Sequence, residues 1–221
     1  MKTVSQQEAK PEPIALTEPE RAGGMSLMAA LQLRETVREI GPKPLSPAML
    51  SALLWAAWGV NRREGPFGLA GRTAASASNS QEIELFVLLE DGAYRYVATG
   101  HRLEPVAAGD FRFHALTPRQ RNVTAKAPVQ LVFVADIDRL SHTQGFQEPG
   151  LQDPEIQEAY YYVDTGLIAE NVYLFAAAYG LAAWFHNCDH MRLARDLELG
   201  PQQRVLFAQS VGHPARSEIG D

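Results

Sequence analysis

The spacing of apolar residues predicts two helices near the start of the chain. Between Ser26 and Ile40 apolar side chains recur at intervals of three and four, and Ser26 is a suitable N-cap for a helix over this range. Gly41-Pro42 would stop that helix. A second helix is predicted to start at Ser46-Pro47 and to end at Gly59, with its leucine and tryptophan side chains on one face.

Alternating apolar residues predict strands in the middle and at the end of the chain. The alternation from Ile83 to Leu89 resumes from Tyr94 to Ala98, which predicts a hairpin with a two-residue turn at Asp91-Gly92. Val129 to Ile137 is almost entirely apolar and is predicted to be a central strand buried on both faces. Arg204 to Val211 is the last predicted strand. The hairpin indicates a sheet that is largely antiparallel.

Further helices are predicted in the second half of the chain. A short one is expected over Thr117 to Ala127 and a long one over Asp164 to Tyr179, with Gly180 as its C-terminal stop. The apolar segment Leu181 to Phe185 follows and is interpreted as a strand. Asp189 to Leu199 is predicted to be another helix, capped by Asp189 and ended by Gly200-Pro201.

Two stretches lack this patterning. Asn61 to Ser80 contains scattered glycines and serines and is predicted to be a long loop, a type of segment that is usually functional or disordered. Residues 1–24 form a polar N-terminal extension, whose apolar Ile14 and Leu16 suggest docking on the body or on a second subunit. Residues 25–221 are predicted to form one α+β domain.

Composition and charge exclude several classes of protein. The formal net charge is −6 and no long Lys/Arg cluster occurs, so a nucleic acid is not an expected partner. Cys188 is the only cysteine, which excludes an intrachain disulfide and permits a reducing compartment. The longest apolar stretch, Val172 to Phe185, is too short to span a membrane, and residues 1–24 lack the apolar core of a signal peptide. We therefore expect a cytoplasmic protein with no membrane partner, although an export signal cleaved beforehand would leave the same sequence.

Two polar segments are candidates for chemistry. Arg34, Thr36 and Arg38 place two guanidiniums and a hydroxyl at the end of the first predicted helix, where they could hold a phosphate or an anionic ring edge. A solvated charged face is the alternative interpretation. The segment Arg72 to Gln81 supplies small residues, amides and hydroxyls immediately before a strand, a composition suited to a planar polar ligand.

A metal site is a further alternative. His186 and His190 lie four residues apart with Cys188 between them. However, the segment lacks the glutamate of a zinc protease motif and joins a strand to a helix, so both imidazoles do not share a helical face. We therefore predict no metal.

Four motifs resemble FMN-dependent nitroreductases, and within them the branch related to azoline-forming dehydrogenases of peptide modification. Arg34, Thr36 and Arg38 match the family's Arg-x-Ser-x-Arg/Lys element, with Thr in place of Ser. A Pro-Ser-x-x-Asn-x-Gln element is matched, with alanine where proline is usual, at Ser76, Asn79 and Gln81. The long helix with its Gly-Leu ending, and a C-terminal Gly-x-Pro followed by a basic residue, complete the set at Glu170-Asn171, Gly180-Leu181, Gly212-His213-Pro214 and Arg216.

The resemblance implies a nitroreductase-like fold, with a largely antiparallel central sheet flanked by helices, in a homodimer with FMN at the interface. It assigns the phosphate, the ribityl chain or the pyrimidine edge to Arg34, Thr36, Arg38 and Arg216. It assigns Ser76, Ser78 and Asn79 to the flavin of the other subunit, with Gln81 behind them as structural support. It also implies that Asn187 and Cys188 present backbone N–H groups to the N5 side of the flavin.

The implied activity is a ping-pong hydride transfer from NADH or NADPH to a small planar acceptor such as a nitroaromatic or a quinone. No side-chain catalyst is then required, because the flavin carries the chemistry. Two alternatives stay open: an FMN-dependent dehydrogenase of a heterocycle or peptide, in which Lys126 could pair with one of Tyr160 to Tyr162, and a non-catalytic flavin-binding protein. Cys188 is interpreted as an inert small residue, since no second cysteine could resolve an oxidised thiol.

Overall fold

The computed structural model describes residues 10–124 and 126–215. The strands of this part are β1 (Ile14–Ala15), β2 (Val60–Arg62), β3 (Gly71–Arg72), β4 (Ile83–Leu88), β5 (Gly92–Val97), β6 (Arg102–Ala108), β7 (Val129–Asp136), β8 (Ala182–His186) and β9 (Gln203–Gly212). Its α-helices are α1 (Leu27–Leu33), α2 (Pro47–Trp58), α3 (Arg121–Thr124), α4 (Ile137–Ser141), α5 (Pro154–Tyr179) and α6 (His190–Asp196).

The fold is α+β and is built on a seven-stranded sheet in the order β1-β6-β5-β4-β7-β9-β8, with every neighbouring pair antiparallel. The predicted hairpin is present as β4 and β5, but its two-residue loop is Glu90-Asp91, because the Leu89 N–H donates to the Gly92 carbonyl. β7 is an interior strand between β4 and β9 and is buried along its length up to Asp136, as its apolar sequence predicts.

Helices cover both faces of the sheet. On one face α2 and α5 pack over the larger core, whose fully buried side chains include Leu53, Phe133 and Ile168. On the other face Leu193 of α6 and Leu197, directly after its end, belong to a smaller core. Because helices cover both of their faces, the interior strands β4 and β7 consist mainly of apolar residues.

The long helix α5 begins earlier than predicted. Its first residue is Pro154 rather than Asp164, and the Asp153 side chain caps it by accepting the Glu155 N–H. Its C-terminus matches the prediction, since Gly180 adopts the left-handed conformation (φ 64°) that ends many helices. The extension adds several turns to the helix that packs across the larger core.

The first helix is shorter than predicted. α1 ends at Leu33, and the following segment to Ile40, expected to be helical, is not. The reason is tertiary: the Val37 N–H donates to the Ala183 carbonyl (3.0 Å) at the outer edge of β8. Arg34, Thr36 and Arg38 therefore do not sit at the end of a helix but follow it.

Three other predictions need smaller corrections. The stretch Asn61 to Ser80 contains the two-stranded ribbon β2–β3 and two one-turn 3-10 helices, although most of it is irregular as predicted. Within Thr117 to Ala127 the described helix is the single turn α3. α6 ends at Asp196 instead of Leu199.

The described part of the N-terminal extension lies against its own chain. β1 pairs with β6, with Ile14 opposite Leu103, and the Leu16 N–H donates to the His101 carbonyl. Ile14 and Leu16, which we considered for docking on a second subunit, both pack on the larger core.

One apolar surface stays exposed on the helices. α1 packs on α5, and in α1 only Ala30 is buried. The large apolar residues that remain exposed on these two helices, here called the α1–α5 surface, are Leu27, Met28, Leu31, Leu33, Ile156, Tyr162, Val163 and Leu167. Among the helices of the described residues, none combines the length and the hydropathy that crossing a bilayer requires.

Candidate functional site

Three side chains after α1 gather over two aromatic rings. The Arg34 guanidinium lies over the Tyr173 ring, 5.5 Å from its centroid, and the Thr36 hydroxyl donates to the Tyr173 hydroxyl at 3.2 Å. The Arg38 guanidinium lies over the Trp184 ring, 5.6 Å from its centroid. These stacking contacts fix the direction of both arginines without neutralising their charge.

Neither arginine is paired with a carboxylate of the described residues. No ion pair involving Arg34 or Arg38 occurs within residues 10–124 and 126–215. The Tyr173 hydroxyl also accepts the Phe185 N–H at 2.8 Å, which ties this cluster to the outer edge of β8. Two unpaired guanidiniums beside a hydroxyl suit an anionic group such as a phosphate.

Backbone donors follow directly at the end of β8. The N–H groups of Asn187 and Cys188 have no acceptor in the part of the chain that the structure describes. A backbone N–H without a partner is uncommon in a buried position, and Cys188 is only 5% exposed. These two N–H groups could therefore serve a ligand acceptor beside the arginine cluster.

A buried histidine holds the peptide between these donors. Burial lowers the pKa of His186 to about 4, so its ring is neutral at ordinary pH. Its Nδ1 lies 2.8 Å from the Asn187 carbonyl oxygen and donates to it, since a carbonyl can only accept. Its Nε2 lies 2.8 Å from the Ser210 hydroxyl. His186 thus fixes the orientation of the Asn187–Cys188 peptide.

The same contacts occupy the ring nitrogens that a metal ion at His186 and His190 would need. Both ring nitrogens of His186 face protein groups, and Nε2 of His190 lies 3.0 Å from the Asn187 side-chain oxygen. Within the described residues no three His, Cys, Asp or Glu side chains are grouped so that they could hold a metal ion. The His186 and His190 side chains instead contact Asn187 and hold the segment between β8 and α6.

Cys188 is expected to be chemically inert. Burial, with a smaller contribution from the charge of Asp189, raises the pKa of its thiol to about 12. Because the thiolate is the reactive form, we predict that Ellman's reagent at pH 7.5 labels less than about a tenth of the native protein in the time that labels all of the unfolded chain. Native labelling as fast as that of free cysteine would contradict this prediction.

The second candidate segment is a loop with an unusual backbone. Ser78 (φ 49°), Asn79 (φ 54°) and Gln81 (φ 54°) all adopt left-handed conformations. Such conformations cost free energy in residues other than glycine and persist only where surrounding contacts hold them. Their concentration between β3 and β4 indicates that this loop is shaped for a purpose other than stability.

The Gln81 side chain supports the loop from inside. Its Nε2 donates to the Ala70 carbonyl (2.7 Å) and to the Asn79 Oδ1 (3.1 Å), and its Oε1 accepts from the Arg72 Nε (2.7 Å). The Gln81 N–H donates to the Ser76 Oγ at 3.1 Å. Ser76 therefore keeps its own hydroxyl proton to donate elsewhere.

Outer contacts fix the remaining side chains of the loop. The Asn79 Nδ2 donates to the Pro66 carbonyl and the Ser78 Oγ to the Gly145 carbonyl, both at 3.1 Å. A side chain at Gly145 would approach the Ser78 Oγ to 2.6 Å, so glycine is needed there for close contact. One amide hydrogen of Asn79 stays free for a ligand.

Two carboxyl groups lie beneath the loop. Glu82 is fully buried and Asp164 of α5 is 3% exposed. The Asp164 Oδ2 accepts the Ala77 N–H at 2.8 Å, and the Glu82 Oε2 accepts the Ser80 hydroxyl at 2.5 Å. Burial, followed by the charge of Asp164, raises the pKa of Glu82 to about 8.

One chain does not bring the two segments together. On the side of the arginine cluster, Val37 bonds to Ala183, and Ala183 lies opposite Val211 of β9. On the side of the loop, Ile83 lies opposite Ala135 of β7, which in turn lies opposite Arg204 of β9. Seven residues of strand separate those two levels, a distance of about 23 Å. The arginine cluster and the Ser76–Gln81 loop therefore lie at opposite ends of the sheet.

Two other sequence-based assignments can be placed. Arg216, assigned to the flavin with Arg34 and Arg38, lies outside the described residues. Lys126 lines a cavity of about 660 Å³ with Lys43 and His213, at the end of the sheet where β7 begins. Tyr161 lies at the other end of the sheet, where burial and the nearby Glu82 raise its pKa. Because of this separation, Lys126 does not pair with Tyr161 within one chain.

Four residues of the site were not identified from the sequence: Tyr173, Trp184, Glu82 and Asp164. Tyr173 and Trp184 looked like ordinary apolar positions of a helix and a strand. A carboxylate at the start of an otherwise apolar strand, as at Glu82, is a usable signal, because a charged group there needs a partner when buried. Asp164 carried no such signal, since it was interpreted as a helix start.

Comparison with known proteins finds a matching family model, a related sequence and a similar solved structure. The family model described as the nitroreductase family matches residues 31–213. A protein of Methanocaldococcus jannaschii that carries a nitroreductase name is 28% identical over 155 residues, which are 67% of this chain and 71% of that protein. A crystal structure from Ralstonia eutropha JMP134, also named as a nitroreductase, is 36% identical, with a TM-score of 0.81 over 93% of this chain and 90% of that one.

Two more distant structures share the fold. The Escherichia coli microcin synthetase complex with a truncated pro-peptide bound contains a chain that is 18% identical, with a TM-score of 0.67 over 83% of this chain and 70% of that one. A nitroreductase-type protein of Desulfovibrio desulfuricans, in complex with FMN, is also 18% identical, with a TM-score of 0.58 over 87% of this chain and 88% of that one.

Proposed function

This chain belongs to the nitroreductase family, and on that basis we propose that it is an FMN-dependent oxidoreductase that passes electrons from NADH or NADPH to a small planar acceptor such as a nitroaromatic or a quinone. The observation that carries the proposal is that the Arg34 and Arg38 guanidiniums lie beside the N–H groups of Asn187 and Cys188, and that none of these donors has a partner among the described residues, apart from the stacked aromatic rings. An anionic tail and a ring with acceptor atoms would satisfy both sets of donors. The FMN complex of the Desulfovibrio desulfuricans structure is consistent with this ligand.

When bound, FMN supplies the hydride transfer chemistry. Arg34, with the Thr36 hydroxyl, is proposed to hold the phosphate, and Arg38 to offset negative charge at the pyrimidine edge. The N–H groups of Asn187 and Cys188 are proposed to donate to the ring on its N5 side. Because no side chain has to exchange a proton with the substrate, we assign no catalytic residue.

We further propose that two copies of the chain complete each site. The α1–α5 surface leaves Leu27, Met28 and Val163 between 58% and 74% exposed, which is unfavourable for a chain that stays single. Gly166 lies in the same stripe of α5, and a Cβ there would meet nothing within 4 Å, so its lack of a side chain has no explanation within one chain. A mid-helix glycine costs about 1 kcal/mol relative to alanine. Burial against a second copy would account for both features.

A second copy would also bring the Ser76–Gln81 loop to the arginine cluster. In one chain the two lie at opposite ends of the sheet. The Ser76 hydroxyl, the free amide hydrogen of Asn79 and the partner's cations would then surround one flavin. This arrangement makes the cofactor site depend on assembly.

The visible absorption spectrum tests the proposal. The purified protein, with FMN added if it is colourless, is expected to show flavin bands that bleach on anaerobic addition of NADH or NADPH and return when a quinone is added. Bands that resist both nucleotides would favour the alternatives, a heterocycle or peptide dehydrogenase or a protein that only binds flavin. A protein that remains colourless and does not quench FMN fluorescence would overturn the proposal.

A further inference from the structure

The buried carboxyl groups of Glu82 and Asp164 lie between the loop and the long helix. Asp164 holds the loop at the Ala77 N–H, and Glu82 holds it at the Ser80 hydroxyl. The two carboxyls lie close enough for each to affect the pKa of the other, and the Glu82 Oε1 is buried with no hydrogen-bond partner among the described residues. A hydrogen bond between two carboxyl groups requires that one of them carries a proton.

We propose that Glu82 and Asp164 share one proton and that this shared proton holds the Ser76–Gln81 loop in the shape that binds FMN. The pair therefore positions the cofactor loop without touching the cofactor, and this role rests on the proposed function. It also explains how the loop sustains left-handed conformations at Ser78 and Asn79, because the Ala77 N–H and the Ser80 hydroxyl are held on either side of them.

Among residues 10–124 and 126–215, no cation forms an ion pair with Glu82 or Asp164. Arg72 and Arg139 both reach this end of the sheet, but they bind the neighbouring Gln81, Arg72 at its side chain and Arg139 at its carbonyl oxygen (2.9 Å). On α5 the group next to the pair is the Tyr161 phenol, whose own pKa is raised. The buried Glu82 thus faces an acid and a phenol.

The charged side chains on the flanking strands form ion pairs with groups other than Glu82 and Asp164. Asp136, at the end of β7, accepts from Arg139 (3.2 Å). Arg204 of β9 pairs with Glu158 of α5 at 3.3 Å. Glu84, two residues along β4 from Glu82, takes ion pairs from both Arg95 and Arg139. Loss of the shared proton would therefore leave two buried negative charges close together, with no cation paired with either of them in the part of the chain that the structure describes.

The expected pH dependence follows from the proton held by the folded chain. In the unfolded chain a glutamate releases its proton at a pKa of about 4.3, whereas burial and Asp164 raise the pKa of Glu82 in the folded chain to about 8. The folded chain therefore loses stability as pH rises between these values and no further above them. Above about pH 8 the ionised pair would release the loop, and FMN would bind about tenfold more weakly for each further pH unit.

The test compares Glu82→Gln with Glu84→Gln. A glutamine at position 82 can still donate to Asp164 but cannot ionise, whereas Glu84 is a buried carboxylate of the same strand that is already paired with arginines. Two quantities are measured from pH 5.5 to pH 9: the melting temperature without flavin, and the FMN dissociation constant by fluorescence titration. We expect Glu82→Gln to remove most of the fall in melting temperature and to flatten the rise in the dissociation constant above pH 8. Glu84→Gln is expected to keep both wild-type profiles.

The outcomes separate this inference from the proposed function. If Glu82→Gln flattens the melting profile but no form of the protein binds FMN, the acid pair stands and the proposed function fails. If FMN binds with the same pH dependence in wild type and Glu82→Gln, the positioning role fails and the proposed function stands. Should Glu82→Gln not fold, Asp164→Asn serves instead, since its amide can accept the Ala77 N–H and donate to Glu82; wild-type slopes in that variant would overturn the proposal.

Discussion

Replacing Leu167 with glutamate is expected to separate the proposed dimer into monomers and to abolish FMN binding. Leu167 is 43% exposed on α5, next to Val163 and Gly166 in the α1–α5 surface. Burying a leucine contributes about 2 kcal/mol, and a two-fold interface loses that contribution twice. The substitution also places an unpaired carboxylate in an apolar contact, so we expect dimerisation to weaken by at least about a thousandfold.

Met191→Glu is the matched control. Met191 is 83% exposed on α6, which packs on the opposite face of the sheet from α5. The same change in charge and size there should leave the assembly dimeric. Sedimentation velocity gives the mass, and flavin content after gel filtration gives the cofactor. A Leu167→Glu protein that stays dimeric, or a monomer that retains stoichiometric FMN, would contradict the shared site.

The second large effect is expected at the arginine cluster. Arg34→Ala with Arg38→Ala should weaken FMN binding by about a thousandfold, because each charge-assisted hydrogen bond contributes about 1.5–3 kcal/mol. Each single variant should lose about tenfold to a hundredfold. The folded state should tolerate the change, since neither arginine forms an ion pair within the described residues.

Charge alone does not account for the expected loss. Arg38→Lys keeps the charge but not the planar fork or the stacking on Trp184, so it should bind FMN more weakly than wild type and more tightly than Arg38→Ala. Arg63→Ala removes an exposed arginine next to the β2–β3 ribbon and should have no effect. FMN fluorescence titration at two salt concentrations measures these differences. A double variant that binds within about threefold of wild type would show that the phosphate lies elsewhere.

The strands of the sheet could be predicted because the apolar pattern of each segment agrees with the environment that the fold gives it. The alternation in Ile83 to Leu89 predicts a strand where β4 lies, and the nearly apolar run of Val129 to Ile137 predicts the burial of β7 on both faces. β4 is also buried on its second face, which its alternation does not predict. The stop at Gly180 was predictable for the same reason, because a left-handed residue at that position suits glycine. Patterns of this kind need no knowledge of the partner element.

Arg34 to Ile40 shows where such patterns fail. The apolar spacing favours a continued helix, but the N–H of Val37 gains a partner at the edge of β8, and its side chain joins a buried cluster with Ile40 and Ala182. Neither contact is visible in the local sequence. The sequence groups the three candidate residues of this segment, but their position over Tyr173 and Trp184 is a product of the fold.

The start of α5 was predictable in principle. Asp153-Pro154 followed by Glu155 combines an N-cap, proline at the first helical position and an acidic first turn. The periodicity of Gln157 and Tyr161, both buried, continues the same face. The pairing of Glu82 with Asp164 was not predictable, because it depends on which face of α5 meets the end of β4.

Both edges of the seven-stranded sheet are partly covered. On one side β1 pairs with the first residues of β6, and further along β6 Pro105 offers no N–H to an incoming strand. On the other side the Val37 N–H occupies the Ala183 carbonyl of β8. Another chain therefore meets only short stretches of unpaired backbone at these edges, which disfavours aggregation of the folded protein by strand addition. Trimming the chain past Leu16 would uncover the start of β6 and weaken that protection.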